Sequence, residues 1–542
     1  MRGSLSRVLA VAALLAATEA CSFLVDTSAD QCSSNSDCTS KGGAFAGSVC
    51  ADHVCVIKCT SNKQCTAQNG SPSICVRETG ACGALLSPDC QTIFQEPGAL
   101  DNEGTVLLGM LFPMSGENAA SEKSRINAVE LARRHIHKAN SGLPGVKDGP
   151  SRPLVLLACD DAKDPLRAAR HLTSDLHVPA IVGPAFSGVT TTVAKEVTIP
   201  AGTLVISPSA TSPTLTDLAD NGLVWRTAPS DVIQALAMVQ VVATKLEPDV
   251  RTAYTLKDTD KIRVAVVHKG DAYGTGLATA LFKGLRFNGG ASAAANADFF
   301  KQLDYGDPQK TAAPELAAAY KKAVDSLVAF KPHILITIGT TEAVTDIFAK
   351  VEAQWPAAEP IKPRHLVSDG LQVPEMLTQI GTNDALRKRV LGTVPGVPGT
   401  NYESFKIAFD TAFPDTPADS YSAGSYDATL LLGFAIAAAK DKPLTGAIIN
   451  EGLKKTIPSP RATPIDADVN EINKGFGAMA GDGIDFSGAS GLLDFDPATG
   501  EAPADIQIWC LKAPGGKPVA FGPSGLVFGA KTNALEGTFS CP

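Results

Sequence analysis

From Thr105 onward the apolar positions fall into short runs separated by stretches of helical spacing, the alternation that βαβ units produce around a buried parallel sheet. Val106–Phe112 reads as a first strand. Ile126, Val129, Ala132 and Ile136 then recur at helical spacing, with Arg125, Arg133 and Arg134 available for a polar face. Leu154–Ala158, Ala180–Val182 and Thr203–Ile206 supply further strands. A second series opens at Ile262–Val267 and continues with His333–Ile338 and Arg364–Ser368. Two such series in one chain predict two α/β lobes.

Two of these runs end in small hydroxyl residues. Ala180–Ser187 (AIVGPAFS) and Leu204–Pro213 (LVISPSATSP) pass from strand to loop at Ser187 and across Ser207–Thr211. Ligands of open α/β sheets collect at the carboxyl ends of the strands, where hydroxyls and backbone N–H groups hold small polar molecules. These residues suggest binding and mark no chemistry.

The pattern differs upstream. Arg2 and Arg7 precede the apolar stretch Val8–Ala17, which is too short to span a bilayer and has the form of an export signal over residues 1–20. Cleavage before Cys21 is open to ordinary signal peptidase or to the lipoprotein pathway. Glu19 weighs against lipidation of Cys21; parity weighs for it, because 13 cysteines less one leave an even set for an oxidising compartment. No later run reads as a transmembrane helix, so membrane contact is expected only through an N-terminal lipid.

Residues 21–95 form a cysteine-rich segment with an internal repeat. Cys32-Ser-Ser-Asn-Ser-Asp-Cys38-Thr matches Cys59-Thr-Ser-Asn-Lys-Gln-Cys65-Thr, and the pairs Cys50/Cys55 and Cys75/Cys82 follow. Each four-cysteine unit is too small for a core of its own and is expected to be stapled by two disulfides, with connectivity left open. The spacing does not suit zinc. A stalk or spacer and a protein- or glycan-binding module are both compatible with it. Cys90 is left over, with Cys159, Cys510 and Cys541 as candidate partners, and a Cys510–Cys541 bridge would tie down the tail.

At 542 residues, with 44% apolar and 19% charged residues, the chain is multi-domain. A net charge of −9 without a basic, aromatic-interleaved stretch argues against nucleic acid as a partner.

The ordered motifs of the large region resemble the type 1 periplasmic binding proteins, and most closely their branched-chain amino acid and amide-binding branch, the leucine/isoleucine/valine-binding proteins. The resemblance rests on Pro113–Gly116 (PMSG), Cys159–Pro165 (CDDAKDP), Ile206–Pro213, Trp225–Asp231 (WRTAPSD), Val266–Gly276 (VVHKGDAYGTG), Ser422–Ala428 (SAGSYDA) and Gly488–Asp496 (GASGLLDFD), in that order, within about Thr105 to Leu511. It implies two doubly wound Rossmann-like lobes with three hinge crossovers, preceded by the disulfide-rich module. Lobe 1 would comprise 105–229 and 396–478, and lobe 2 would comprise 230–395 and 479–542, with Arg226–Asp231 as the first crossover. The resemblance also implies that an amino acid's carboxylate is held at Ser187, Ala210 and Thr211 and its ammonium at Asp369. Tyr273 would cover the side chain, and Asp231 would serve the polar end or the hinge. Opposite poles of a zwitterion would then reward closure. Ala120–Glu122 and Gly339–Glu342 lack the aromatic residues of leucine binders, which implies a wider or more polar pocket that Thr341 would line, with Glu342 as a helix-capping acid.

Enzyme motifs are absent from the sequence: no Gly-x-Ser-x-Gly elbow, P-loop, His-Glu-x-x-His or helix-opening Gly-x-Gly-x-x-Gly. No cofactor or metal is expected; Asp160-Asp161 reads as a strand exit and Asp494–Gly500 as a hairpin turn. Two functions remain. One is delivery of an amino acid or small amide to an ABC permease. The other is an outer-membrane or cell-surface sensor, for which Ser22 after a lipidated cysteine is suited and the cysteine module would dock a partner.

Overall fold

The computed structural model describes residues 30–541 apart from 52, 148, 397–398 and 514–517, so the export segment, Cys21 and Ser22 lie outside the described residues. The chain divides into two compact units. The first takes the described residues up to Thr60 together with Cys75–Cys82; the second takes Ser61–Ile74 and everything from Gly83. The cysteine-rich segment is therefore not one block over 21–95, because part of its second repeat belongs to the large unit.

In the small unit a short helix, Asn35–Thr39, precedes a hairpin of Ser48–Ala51 and Val54–Ile57. Interleaved bridges Cys32–Cys50 and Cys38–Cys55 staple the helix to the hairpin, with Cα separations of 5.8 and 5.5 Å. Cys59–Cys75 repeats the first-to-third pairing, and Cys65 and Cys82 are also disulfide-bonded. Cross-links replace the core that so few residues cannot build.

The large unit holds two sheets. The first runs β6-β5-β4-β2-β3-β1, with β1 Cys90–Phe94, β2 Val106–Phe112, β3 Leu154–Asp160, β4 Ala180–Val182, β5 Leu204–Ser207 and β6 Val224–Arg226. Strands β2 to β6 are parallel and nearly all their residues are buried, as the continuous apolar runs require. Strand β1 pairs antiparallel with β3 and is fastened to it by Cys90–Cys159, so residues 90–94 belong to this lobe and not to the cysteine-rich segment.

The second sheet runs β8-β7-β9-β10-β11-β12-β13-β14: β7 Val264–His268, β8 Phe300–Asp304, β9 Ile334–Ile338, β10 Arg364–Val367, β11 Val390–Pro395, β12 Ile506–Lys512, β13 Ala520–Gly529 and β14 Ala534–Gly537. Its first five strands are parallel, and β12 to β14 add an antiparallel meander. Cys510–Cys541 ties the chain's tail to this meander.

Each sheet carries apolar clusters on both faces. Phe486, Leu493, Phe495 and Ala502 pack in the first lobe's core with Trp225 and Phe434, so the proposed boundary at 478/479 moves to just after 502. Helix Ser420–Ala439 is long and apolar enough to cross a membrane, contrary to the sequence expectation, but it is 94% buried as the central helix of that core. Of the arginines expected on a polar face, Arg125 is half-buried and paired with Glu122, and Arg133 is buried against Glu130 and Glu96. The three crossovers run side by side, with Arg226 bridged to Glu501 and Gly396 to Ile506.

Candidate functional site

In each lobe the strand order doubles back beside the first parallel strand, at β2/β4 and at β7/β9, and loops leaving the carboxyl ends there open a crevice. A cleft of about 460 Å³ lies where the two crevices face each other. The first lobe lines it with Glu122, Arg125, Phe186, Ser187, Ser209 and Tyr421; the second with Asp271, Tyr273, Thr340, Thr341, Asp369 and Gln372.

The turn that presents Ser187 depends on Gly183, at φ +102°, where a Cβ would stand 2.1 Å from the Leu111 carbonyl oxygen. The Ser207 and Thr190 hydroxyls donate to the Pro184 carbonyl at 2.6 and 3.1 Å, locking the turn to the next strand. Ser187 Oγ accepts the backbone N–H groups of Thr211 and Ser212, both at 3.1 Å. Its lone pairs are thereby occupied, and its proton is left to donate into the cleft.

Ala210, Thr211 and Asp231 are not brought to the cleft wall. The Ala210 N–H is taken by Ser207 Oγ, and the Thr211 carbonyl accepts from the Asp231 N–H. Arg226 donates to the carbonyls of Ala210 and Ser212 and pairs with Glu501, which couples this loop to the crossovers. Asp231 is fully buried behind the site. Burial first, and the neighbouring Asp369 second, hold its carboxyl well above the usual range.

Asp369 follows β10. Its Oδ1 lies 2.6 Å from the Tyr273 hydroxyl and accepts from Gln234 Nε2 at 2.9 Å; its Oδ2 accepts from the Tyr421 hydroxyl, reaching across from the first lobe. Among the described residues no cation pairs with it. Burial, and then Asp369, push both tyrosine hydroxyls well above their ordinary pKa, so they act as neutral donors. Tyr273 therefore orients the acid by its hydroxyl rather than only covering a side chain.

Glu342 accepts the Thr340 backbone N–H at 3.2 Å at the start of its helix, as a capping acid does, and has further partners. Burial would raise its pKa, but the Lys269 charge and the hydroxyls of Thr340 and Tyr305 outweigh burial and lower it. Lys269 is 3.4 Å from Asp271 and stands 5.4 Å over the ring of Phe186 in the opposite lobe. Ser212 Oγ also crosses the cleft, donating to the Ala272 carbonyl at 2.8 Å.

The sequence reading missed Arg125, Glu122, Tyr421 and Gln234. Tyr421 stands one residue before the Ser422–Ala428 motif, and Arg125 reads from the sequence only as available for a polar face. Asp160 does serve the strand exit, accepting the N–H groups of Met114 and Ala162. Asp496 and Glu501 close a turn as expected.

A family model for periplasmic binding proteins matches residues 105–466. The Leu/Ile/Val-binding protein BraC3 of Rhizobium johnstonii is 33% identical over 196 residues, 35% of this chain and 46% of that protein. BasB of Halobacterium salinarum, a substrate-binding protein of a chemotactic signal transduction system, is 30% identical over 184 residues, covering 32% and 40%. The chain thus spans about half the length, or less, of the curated relatives it matches. The crystal structure of the leucine-binding protein LivK from Thermotoga maritima superposes with a TM-score of 0.56 at 18% identity, covering 77% of this chain and 98% of that one.

Proposed function

We propose, from the premise that this chain belongs to the periplasmic binding protein family, that it closes its two lobes on an amino acid or small amide outside the cytoplasm and presents it to an ABC transporter. One observation carries the reading: a hydroxyl donor at Ser187 and an unpaired acid at Asp369 face each other across one cleft from opposite lobes. A carboxylate suits the first and an ammonium the second. Binding both poles stabilises the closed shape, which is the signal a partner reads. Ser187, Tyr273, Thr341 and Asp369 would touch the ligand, while Ala210, Thr211 and Asp231 position them. The matched relatives named as amino acid-binding proteins support this reading. Family membership fits a solute-binding role rather than an enzymatic one.

Anchoring through Cys21 belongs to the same proposal. A sensor reading is favoured by one observation, the match to a chemotactic binding protein, and it uses the same clamshell with the cysteine module as a docking element.

The test is a thermal-shift screen of the full chain against the common amino acids and small amides. A ligand at 100 times its dissociation constant adds about 2.7 kcal/mol. A hit lost in Asp369→Ala supports the clamp; silence across the panel overturns it.

A further inference from the structure

The first-lobe wall holds two polar atoms that the two-pole clamp leaves unused. Glu122 and Arg125, in the first turns of helix Ala119–Asn140, both line the cleft, with side chains only 1% and 11% exposed. Arg125 Nη1 pairs with Glu122 Oε1, and the guanidinium lies 4.9 Å over the ring of Tyr421, whose hydroxyl reaches Asp369. Glu122 Oε2 and Arg125 Nε have no hydrogen-bond partner. The ion pair therefore offers one free acceptor and one free donor, both buried, beside the residue that would hold the ligand's ammonium.

Charge narrows what those atoms can receive. Asp419 acts electrostatically on both Glu122 and Arg125. A carboxylate side chain entering here would meet two acids against one guanidinium and has no N–H to give Glu122 Oε2; an ammonium could donate to Glu122 but has no acceptor for Arg125 Nε. Asp161, whose Oδ2 is also unpaired, is held well above the usual carboxylate range by burial and by Glu122. An aliphatic side chain would leave Glu122 Oε2 and Arg125 Nε buried and unpartnered in the closed state. A neutral group with a carbonyl to accept from Arg125 and an N–H to donate to Glu122 satisfies both, and a carboxamide has that pair in one plane.

We propose that the cleft selects amino acids whose side chain ends in a carboxamide or urea-like group, read by Arg125 Nε and Glu122 Oε2. The proposal rests on the reading that Ser187 and Asp369 hold the α-carboxylate and α-ammonium, and it adds the specificity of the third contact.

The experiment is calorimetric titration of the full chain with glutamine, asparagine, citrulline, leucine, glutamate and lysine. It is repeated in the double variant Glu122→Met/Arg125→Met, which removes both charges together and leaves neither buried alone. At least one of the first three is expected to bind about 100-fold more tightly than the last three, and the double variant to reduce that preference below about tenfold. Leucine binding as tightly as glutamine in the unaltered chain would overturn the proposal and leave the clamp standing. No binding by any of the six, with another zwitterion binding in the wider screen, would also overturn it. No zwitterion binding at all would remove the clamp reading itself. If the double variant fails to fold, the panel on the unaltered chain decides alone.

Discussion

The two walls of the cleft are built from different chemistry. The first lobe presents Ser187, a hydroxyl whose lone pairs are occupied by two backbone N–H groups, on a turn locked by Gly183 and the Pro184 carbonyl. The second presents Asp369, a carboxylate surrounded by the neutral donors Tyr273, Gln234 and, from across the cleft, Tyr421. One wall donates and the other accepts. A ligand with a negative and a positive end is oriented before any side-chain contact is made, and only closure lets it use both walls. The buried pairs of Arg226 with Glu501 and of Lys269 with Asp271 and Glu342 fix the loops that carry these groups.

The sharpest way to break the contrast is to remove the support of one wall. Arg226→Met leaves Glu501 without its partner and frees the carbonyls of Ala210 and Ser212; a loss of roughly 3 kcal/mol in urea unfolding is expected. At the ligand itself the acidic wall should matter more than the hydroxyl wall. Asp369→Asn is expected to weaken binding of a zwitterion by about 100-fold, whereas Ser187→Ala should cost about tenfold, both read by calorimetry. Equal losses would mean that the walls are not chemically distinct.

A pH scan gives a smaller effect, and one shared by the lobes. Burial lowers His135 in the first lobe and His333 in the second to about 4. Between pH 6.5 and 4 the unfolded chain binds these protons and the folded chain does not, so stability is complete above pH 6.5 and falls as pH drops toward 4. A loss on the order of 1 kcal/mol per histidine by pH 5 is expected in thermal melts, reduced in His135→Gln and His333→Gln. A loss confined to one lobe's variant would show that the lobes unfold separately.

The strands that hold the walls were legible in the sequence because they are buried on both faces, so their apolar runs are unbroken; Val106–Phe112 and Ala180–Val182 have the expected bounds. Ser187 stands out in the sequence because it ends such a run, whereas Asp369 is reached only through the family resemblance; both line the cleft. Strand β1 was not, since Cys90–Phe94 is an edge strand of mixed composition whose place depends on Cys159, far along the chain. Tyr421 and Arg125 were not, because helical spacing says which face is apolar and not that a charged residue on it is buried by a partner from another segment. At Ala210 and Thr211 the N–H groups hold the loop by bonding to Ser207 Oγ and Ser187 Oγ, side chains whose proximity no local sequence pattern encodes.

The central claim is that the lobes divide the two poles of an α-amino acid between them. Its most direct test is calorimetric titration of the full chain, and of Asp369→Asn, with the tightest-binding amino acid and its N-acetyl derivative. Acetylation removes the ammonium and should weaken binding about 100-fold in the unaltered chain but only a few-fold in the variant, where the acid is already gone. Equal affinity of the unaltered chain for the free and the acetylated amino acid would contradict the account.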